Sequence, residues 1–252
     1  MTGLRKLRKS RRRVSPSEKF ETVRLVHPSL ADFPGTWQNE LRSGAPPVKV
    51  PQKAWNTYFR SESNELFSGE CFGDRPVFIH DLAKLANSGA TNRVLFIGAM
   101  MWGRGPKNGR LMPKFQRVSN HSDFEKTLQQ TRDLILEGKP VDAYQAWIDS
   151  GIKGIAEPFF TKWFFICGLD SRRRSGLQPL VLDSRVWKSL SKIGWSSERQ
   201  TGTKYRKNPA GAYGAYLEAM KQWASELSDG SVKISPLQVE QFFFRKSGED
   251  LL

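Results

Sequence analysis

Residues 151–187 read GIKGIAEPFFTKWFFICGLDSRRRSGLQPLVLDSRVW. Three features follow one another in this stretch. A glycine-bearing turn, Gly151 to Ala156, comes first. A run with helical character follows and carries one lysine, Lys162, inside Phe159-Phe160-Thr161-Lys162-Trp163-Phe164-Phe165. After a basic loop, the apolar run Pro179-Leu180-Val181-Leu182 delivers one carboxylate, Asp183, ahead of a helix holding Val186 and Trp187.

Each feature carries its own physics. A tight turn between two helices points backbone N–H groups outward at the start of the second helix, and those donors with the helix dipole suit a phosphate oxygen. Gly154, Ile155 and Ala156 are the candidates for that contact, although ordinary helix packing uses such turns too. Lys162 has two readings among its aromatics. It snorkels to solvent, or it is partly desolvated, which favours a neutral, nucleophilic amine. Asp183 sits where an N-cap belongs. The same position would hold its carboxylate at the mouth of a pocket.

Around this centre the chain has 252 residues, 38% hydrophobic and 26% charged, which suits one large or two small globular domains. No apolar run approaches the roughly 18 residues of a membrane helix; the longest, Val94 to Trp102, fits a buried helix or strand. The net charge of +15 points to a polyanionic partner, nucleic acid first. A solubility device or a ribosome-associated protein is the bland alternative. Two cysteines, Cys71 and Cys167, form neither a disulfide framework nor a zinc pattern, and an iron–sulfur cluster needs four clustered thiolates. His27, His80 and His121 have no metal spacing. The expectation is therefore no metal and no cofactor, and a reduced, cytoplasmic or nucleoid-associated location.

From the N-terminus, residues 1–20 hold seven Lys or Arg before the first acid, Glu18. Such a tail repels itself and is expected to be disordered when free. It can run along a DNA backbone by counterion release, or it is an organelle transit peptide. Residues 21–52, with His27-Pro28, Phe33-Pro34-Gly35 and Ala45-Pro46-Pro47, read as an irregular wrap. Trp55, Tyr58, Phe59, Leu66 and Phe67 have helical spacing. Asp74 is expected to cap the next helix with Pro76 just inside it, and Val77, Phe78, Leu82 and Leu85 facing inward. Residues 91–105 form a buried segment ending Trp102-Gly103-Arg104-Gly105. Trp102 there stacks on a base or belongs to the core, and Arg104 can pair a phosphate. The following basic stretch, PKNGRLMPKFQR, reads as a loop and a second DNA contact. Helices are expected from Ser122-Asp123 to Gly138, over Val141 to Ile148, over Ala212 to Leu227, and from Ser235-Pro236 onward with Val239, Gln241 and Phe242 to Phe244. Residues 196–210 read as a basic loop. The fold class is mainly α, about eight helices in one or two lobes, with a basic tail over 1–20 and one helical domain over 21–252.

A lysine and an aspartate about twenty residues apart, behind a phosphate-binding turn, suit cleavage of an N-glycosidic bond in DNA. Positive charge develops on the sugar, and a carboxylate near C1′ stabilises it. A lysine attacking C1′ would form a Schiff base and allow strand cleavage by β-elimination. The base must first leave the stack and enter an aromatic-lined pocket.

The motifs G-I-x-G-I-A…F-F-T-K-W-F-F and P-L-V-L-D-S-R-V-W resemble the helix-hairpin-helix DNA glycosylase superfamily. The resemblance is greatest to the 8-oxoguanine DNA glycosylase branch and its bacterial relatives, and it covers residues 145–190. It implies a catalytic lysine, Lys162, and a catalytic aspartate, Asp183. Anchored on Gly154, the family lysine falls near Pro158, and Lys162 comes one helical turn later; anchored on Lys162, the hairpin glycines are lost. Ala156 replaces a family glycine. The resemblance further implies that Arg185 contacts the DNA backbone and that the C-terminal helix supplies an amide and an aromatic ring, Gln241 and Phe243, to a base pocket; Trp102, from its own reading as a base-stacking residue, is placed with them. The partner it implies is double-stranded DNA carrying an oxidised or otherwise modified base, met by a monomer with no membrane attachment, in repair or in defence against modified phage DNA. Two other readings are a non-catalytic DNA-binding protein that keeps the hairpin for phosphates and an RNA-associated protein that uses the tail.

Overall fold

The computed structural model describes residue 41 and residues 46–68, 72, 75–104, 112–193, 195, 208–228 and 232–247. The tail over 1–20, most of the wrap over 21–52 and the loop over 196–207 lie outside the described residues. The mainly α expectation holds: the described residues form eleven helices, with one isolated antiparallel bridge, Val48 to Val77.

The first three helices are α1 (Gln52–Asn56), α2 (Arg60–Ser68) and α3 (Ile79–Asn87). The start of α3 corrects the sequence reading. Val77 is held by Val48 through two backbone hydrogen bonds of 2.9 and 2.8 Å, so it is unavailable to a helix. Phe78 becomes the N-cap and faces outward, its ring stacked on His80. The capping carboxylate is Asp81, which accepts from the Phe78 N–H at 2.9 Å and takes the Arg75 guanidinium at 2.6 and 2.8 Å. Asp74 lies outside the described residues.

Helix α4 (Asn92–Arg104) is buried without a break from Val94 to Trp102. The stretch expected to be a loop contains a helix instead, α5 (Met112–Ser119). Met112, Phe115, Val118 and Ser119 share its buried face, and Pro113 sits where the first turn of a helix accepts proline.

Helices α6 (Phe124–Leu136) and α7 (Pro140–Asp149) lead to α8 (Glu157–Cys167). Every residue of α8 from Phe160 to Cys167 is buried. A helix that is apolar all round belongs at the centre of a helical body, and α8 is covered on several sides. Trp163 meets Phe96 of α4 at 6.1 Å between centroids, and its indole N–H donates to Thr131 of α6 at 2.9 Å. Phe160 stacks on Trp147 of α7 at 5.4 Å.

The remaining helices close the body: α9 (Ser184–Lys192), α10 (Pro209–Leu227) and α11 (Pro236–Lys246). Tyr213 of α10 stacks on Tyr144 of α7 at 5.0 Å, and Trp223 of α10 meets Phe243 of α11 at 5.5 Å. The N-cap of α11 is a capping box of Ser235 and Gln238.

Replacing Thr131 by Val keeps its shape but leaves the buried Trp163 N–H without its acceptor. An orphaned buried donor costs about 1–3 kcal/mol. Thr131→Val is expected to lower the unfolding free energy by that amount, read as a lower urea midpoint at an unchanged denaturant slope; an unchanged midpoint would show that the bond contributes nothing.

Candidate active site

Lys162 and Asp183 meet because two different devices hold them. Lys162 projects from the second turn of α8. Side chains on a helix lean toward its N-terminus, and the ammonium reaches back one turn to donate to the Pro158 carbonyl at 3.1 Å. The amine lies 5.4 Å from the centre of the Phe159 ring and 3.6 Å from Asp183 Oδ2. The lysine side chain is 8% exposed and the aspartate side chain 20%. Of the two readings, the desolvated lysine is the one observed.

Asp183 is delivered by a strap, Leu180 to Leu182, pinned from two helices. The Tyr213 and Tyr216 hydroxyls of α10 donate to the Leu180 and Val181 carbonyls, each at 2.9 Å. Burial pushes both phenols up, so they remain donors. From the other side, Thr161 of α8 accepts from the Leu182 N–H at 3.1 Å. Thr161 precedes Lys162, so one turn of α8 positions both members of the pair. Asp183 then caps α9: its Oδ1 accepts from the Arg185 N–H at 2.9 Å. The cap spends one oxygen and leaves Oδ2 facing the amine.

Both groups open onto a cavity of about 410 Å³. Its walls come from distant parts of the chain: Trp102 and Gly103 of α4, the Lys162 and Asp183 pair, Glu240, Gln241 and Phe244 of α11, and Pro46 and Val48 of the N-terminal wrap. Gly103 is required by the lysine. A Cβ built there would lie 2.2 Å from Lys162 Cδ and 2.5 Å from Cε.

The other residues singled out from the sequence divide. Trp102 lines the cavity while its ring stacks on Phe165 at 5.6 Å; its indole N–H is buried with no hydrogen-bond partner among the described residues. Gln241 lines the cavity too. Phe243 does not. Its ring is fully buried against Trp223 and Phe242, and Phe244, one position on, faces the cavity. Arg185 is exposed at the rim, its guanidinium 5.0 Å from the centre of the Phe244 ring. Arg104 closes α4, but its side chain lies outside what is described. Gly154, Ile155 and Ala156 form the turn before α8 and are not among the cavity's lining residues. Gly154 has φ +103°, a conformation that disfavours any other residue.

The residue that sequence reading missed is Glu240. It is 1% exposed and lines the same cavity from α11. Burial raises its carboxyl to about 8; the Gln241 amide, donating at 2.6 Å, and the Lys162 charge pull it down, and the Asp183 charge pushes it up. The signal was available: Val239, Phe242 and Phe243 define the buried face of α11, and an acid between them is out of place on a core helix.

A family model described as "Putative 8-oxoguanine DNA glycosylase OGG-like protein" matches residues 42–244. No curated protein and no solved structure matches the chain.

The Glu240 environment has a consequence for stability. Its folded carboxyl holds a proton up to about 8, whereas the unfolded one releases it near its ordinary value of 4.5. Between those values the native state binds more protons than the unfolded state, so stability falls as pH rises through that window. Glu240→Gln is expected to flatten the decline in urea midpoint between about pH 5 and 8. An equal slope in both proteins would place the carboxyl in contact with solvent.

Proposed function

Because the chain belongs to the OGG-like family, we propose that it is a DNA N-glycosylase that flips a modified base out of the duplex and cuts its bond to the sugar. The observation that carries this reading is the 3.6 Å approach of Lys162 Nζ to Asp183 Oδ2 on the wall of a cavity lined by Trp102 and Phe244.

A flipped nucleotide places its base in the cavity and its sugar at the mouth, beside the pair. As the glycosidic bond lengthens, positive charge grows on the sugar, and the Asp183 carboxylate stabilises it. The Lys162 amine, once it has lost its proton, attacks C1′ and forms a Schiff base, and β-elimination then cuts the strand. Water activated beside Asp183 gives the monofunctional variant of the same reaction. The apolar surroundings strengthen each electrostatic contact by excluding water.

DNA is held by the surfaces around that mouth. Arg185 at the rim pairs a phosphate. The turn over Gly154, Ile155 and Ala156 offers backbone N–H groups at the head of α8, the helix that carries Lys162 one turn further in, so a phosphate gripped there would set the register of the nucleophile. Arg104, the basic tail and the net charge of +15 add sequence-independent attraction.

Free-base release from duplexes carrying 8-oxoguanine or bulky modified bases is the direct measurement. Asp183→Asn is expected to lower the single-turnover rate by about a hundredfold or more, the loss expected for removing one charge-stabilising group. Borohydride is expected to trap a covalent DNA adduct with the wild type and none with Lys162→Ala. Gly103→Ala is expected to fold and to lose the adduct too, because its methyl group evicts the lysine side chain. Salt-dependent binding with no release of any base would leave a DNA-binding protein without catalysis.

A further inference from the structure

Glu240 lines the cavity that holds the Lys162 and Asp183 pair, and no step described so far uses it. We propose that Glu240 is the acid that protonates the departing base. The inference rests on the glycosylase reading and assigns a second carboxyl to that site.

Three observations point to this role. The first is placement. Glu240 lines the same cavity as Lys162 and Asp183 but comes from α11, with Gln241 and Phe244, the residues on the base side of the proposed arrangement. The second is contrast between the two carboxyls. Asp183 caps a helix and faces an ammonium, surroundings that suit an anion. Glu240 is buried, with an amide as its hydrogen-bond donor. Two carboxyls in one cavity, one paired with an ammonium and one buried beside an amide, suit bond cleavage at a sugar carbon: one to face the developing cation and one to give a proton to the leaving group. The third is chemical state. Burial keeps the Glu240 carboxyl protonated to about 8, so a proton is present at neutral pH.

The charged and titratable groups around Glu240 agree with this. Lys162 comes from α8, Asp183 from the head of α9, and Arg245 from α11 itself. Tyr213 and Tyr216 of α10 are pushed up by burial and stay neutral while donating to the strap. Ionising Glu240 would place a second anion beside Asp183 and draw the Lys162 charge between them.

The step balances. The electron pair of the C1′–N bond leaves with the base, and the Glu240 proton moves to a ring nitrogen or carbonyl oxygen of that base. Water or the Lys162 amine supplies the new bond to C1′ and sheds a proton, and the Glu240 carboxylate recovers one from solvent after the base departs.

The test compares wild type with Glu240→Gln, which keeps the shape and removes the acid. Single-turnover base release is measured from pH 5 to 9 on duplexes carrying 8-oxoguanine, hypoxanthine, uracil or 5-hydroxymethyluracil. Affinity for a duplex carrying a tetrahydrofuran site, which has no base to protonate, is measured alongside. The expected result is a rate lowered about a hundredfold, loss of the decline that the wild type shows as pH rises past about 8, and tetrahydrofuran-duplex affinity within about twofold of wild type. Equal rates and pH profiles in the two proteins would overturn the assignment. So would a matching loss of rate and tetrahydrofuran affinity, which would make Glu240 a structural prop. A wild type that binds these duplexes and releases no base would bring down the glycosylase reading and this inference together.

Discussion

A lysine ammonium buried on an aromatic helix is the constraint around which the structure is arranged. Moving such a charge out of water costs several kcal/mol unless partners replace the solvent. Lys162 is 8% exposed at its side chain, and its partners are supplied by separate parts of the fold. The Pro158 carbonyl belongs to its own helix, the Phe159 ring faces it, and Asp183 arrives from the strap. Gly103 on α4 leaves the channel through which the side chain passes. Remove any one of these and the amine must leave or lose its proton.

The strap shows how the fold enforces the meeting. Its carbonyls are held by two tyrosines of α10 and its last N–H by Thr161 of α8. Asp183 is thereby fixed by groups that are themselves buried in the core, and sites held by rigid elements keep their geometry better than sites on free loops. The last helix completes the arrangement. Ser189 of α9 donates to the Phe243 carbonyl at 2.6 Å, tying the helix that begins with Asp183 to the one that carries Glu240 and Phe244. The cavity brings together an ion pair, a buried carboxyl, an amide and aromatic rings from α4, α8, α11 and the head of α9.

Much of this was legible in the chain. The helical class followed from apolar spacing, and the Asp183 cap from a carboxylate placed between an apolar run and a helix. The places where reading failed share a cause, which is that a partner far along the sequence decided the local structure. Val77 and Phe78 have helical spacing with Leu82 and Leu85, yet Val48 captures the backbone of Val77 and the helix starts later. The stretch around Pro113 reads as a basic loop, yet Met112, Phe115 and Val118 bury one face against the rest of the body and hold α5. On α11 the choice of aromatic slipped by one residue, because neighbouring positions on a helix point about 100° apart and only the position of α10 shows that Phe243 faces the core. Glu240 was passed over for a related reason: an acid in a helix is ordinary until its neighbours show that it has no water.

The claim at the centre is that a sugar comes to rest between Lys162 and Asp183 with its base position in the cavity behind them. A crystal structure of the protein with a duplex carrying a tetrahydrofuran site tests it most directly. The account predicts that the flipped ring lies at the cavity mouth, its anomeric carbon facing Lys162 Nζ and Asp183 Oδ2, with Arg185 on a flanking phosphate. DNA bound across another face, with the duplex unflipped and the cavity empty, would contradict it.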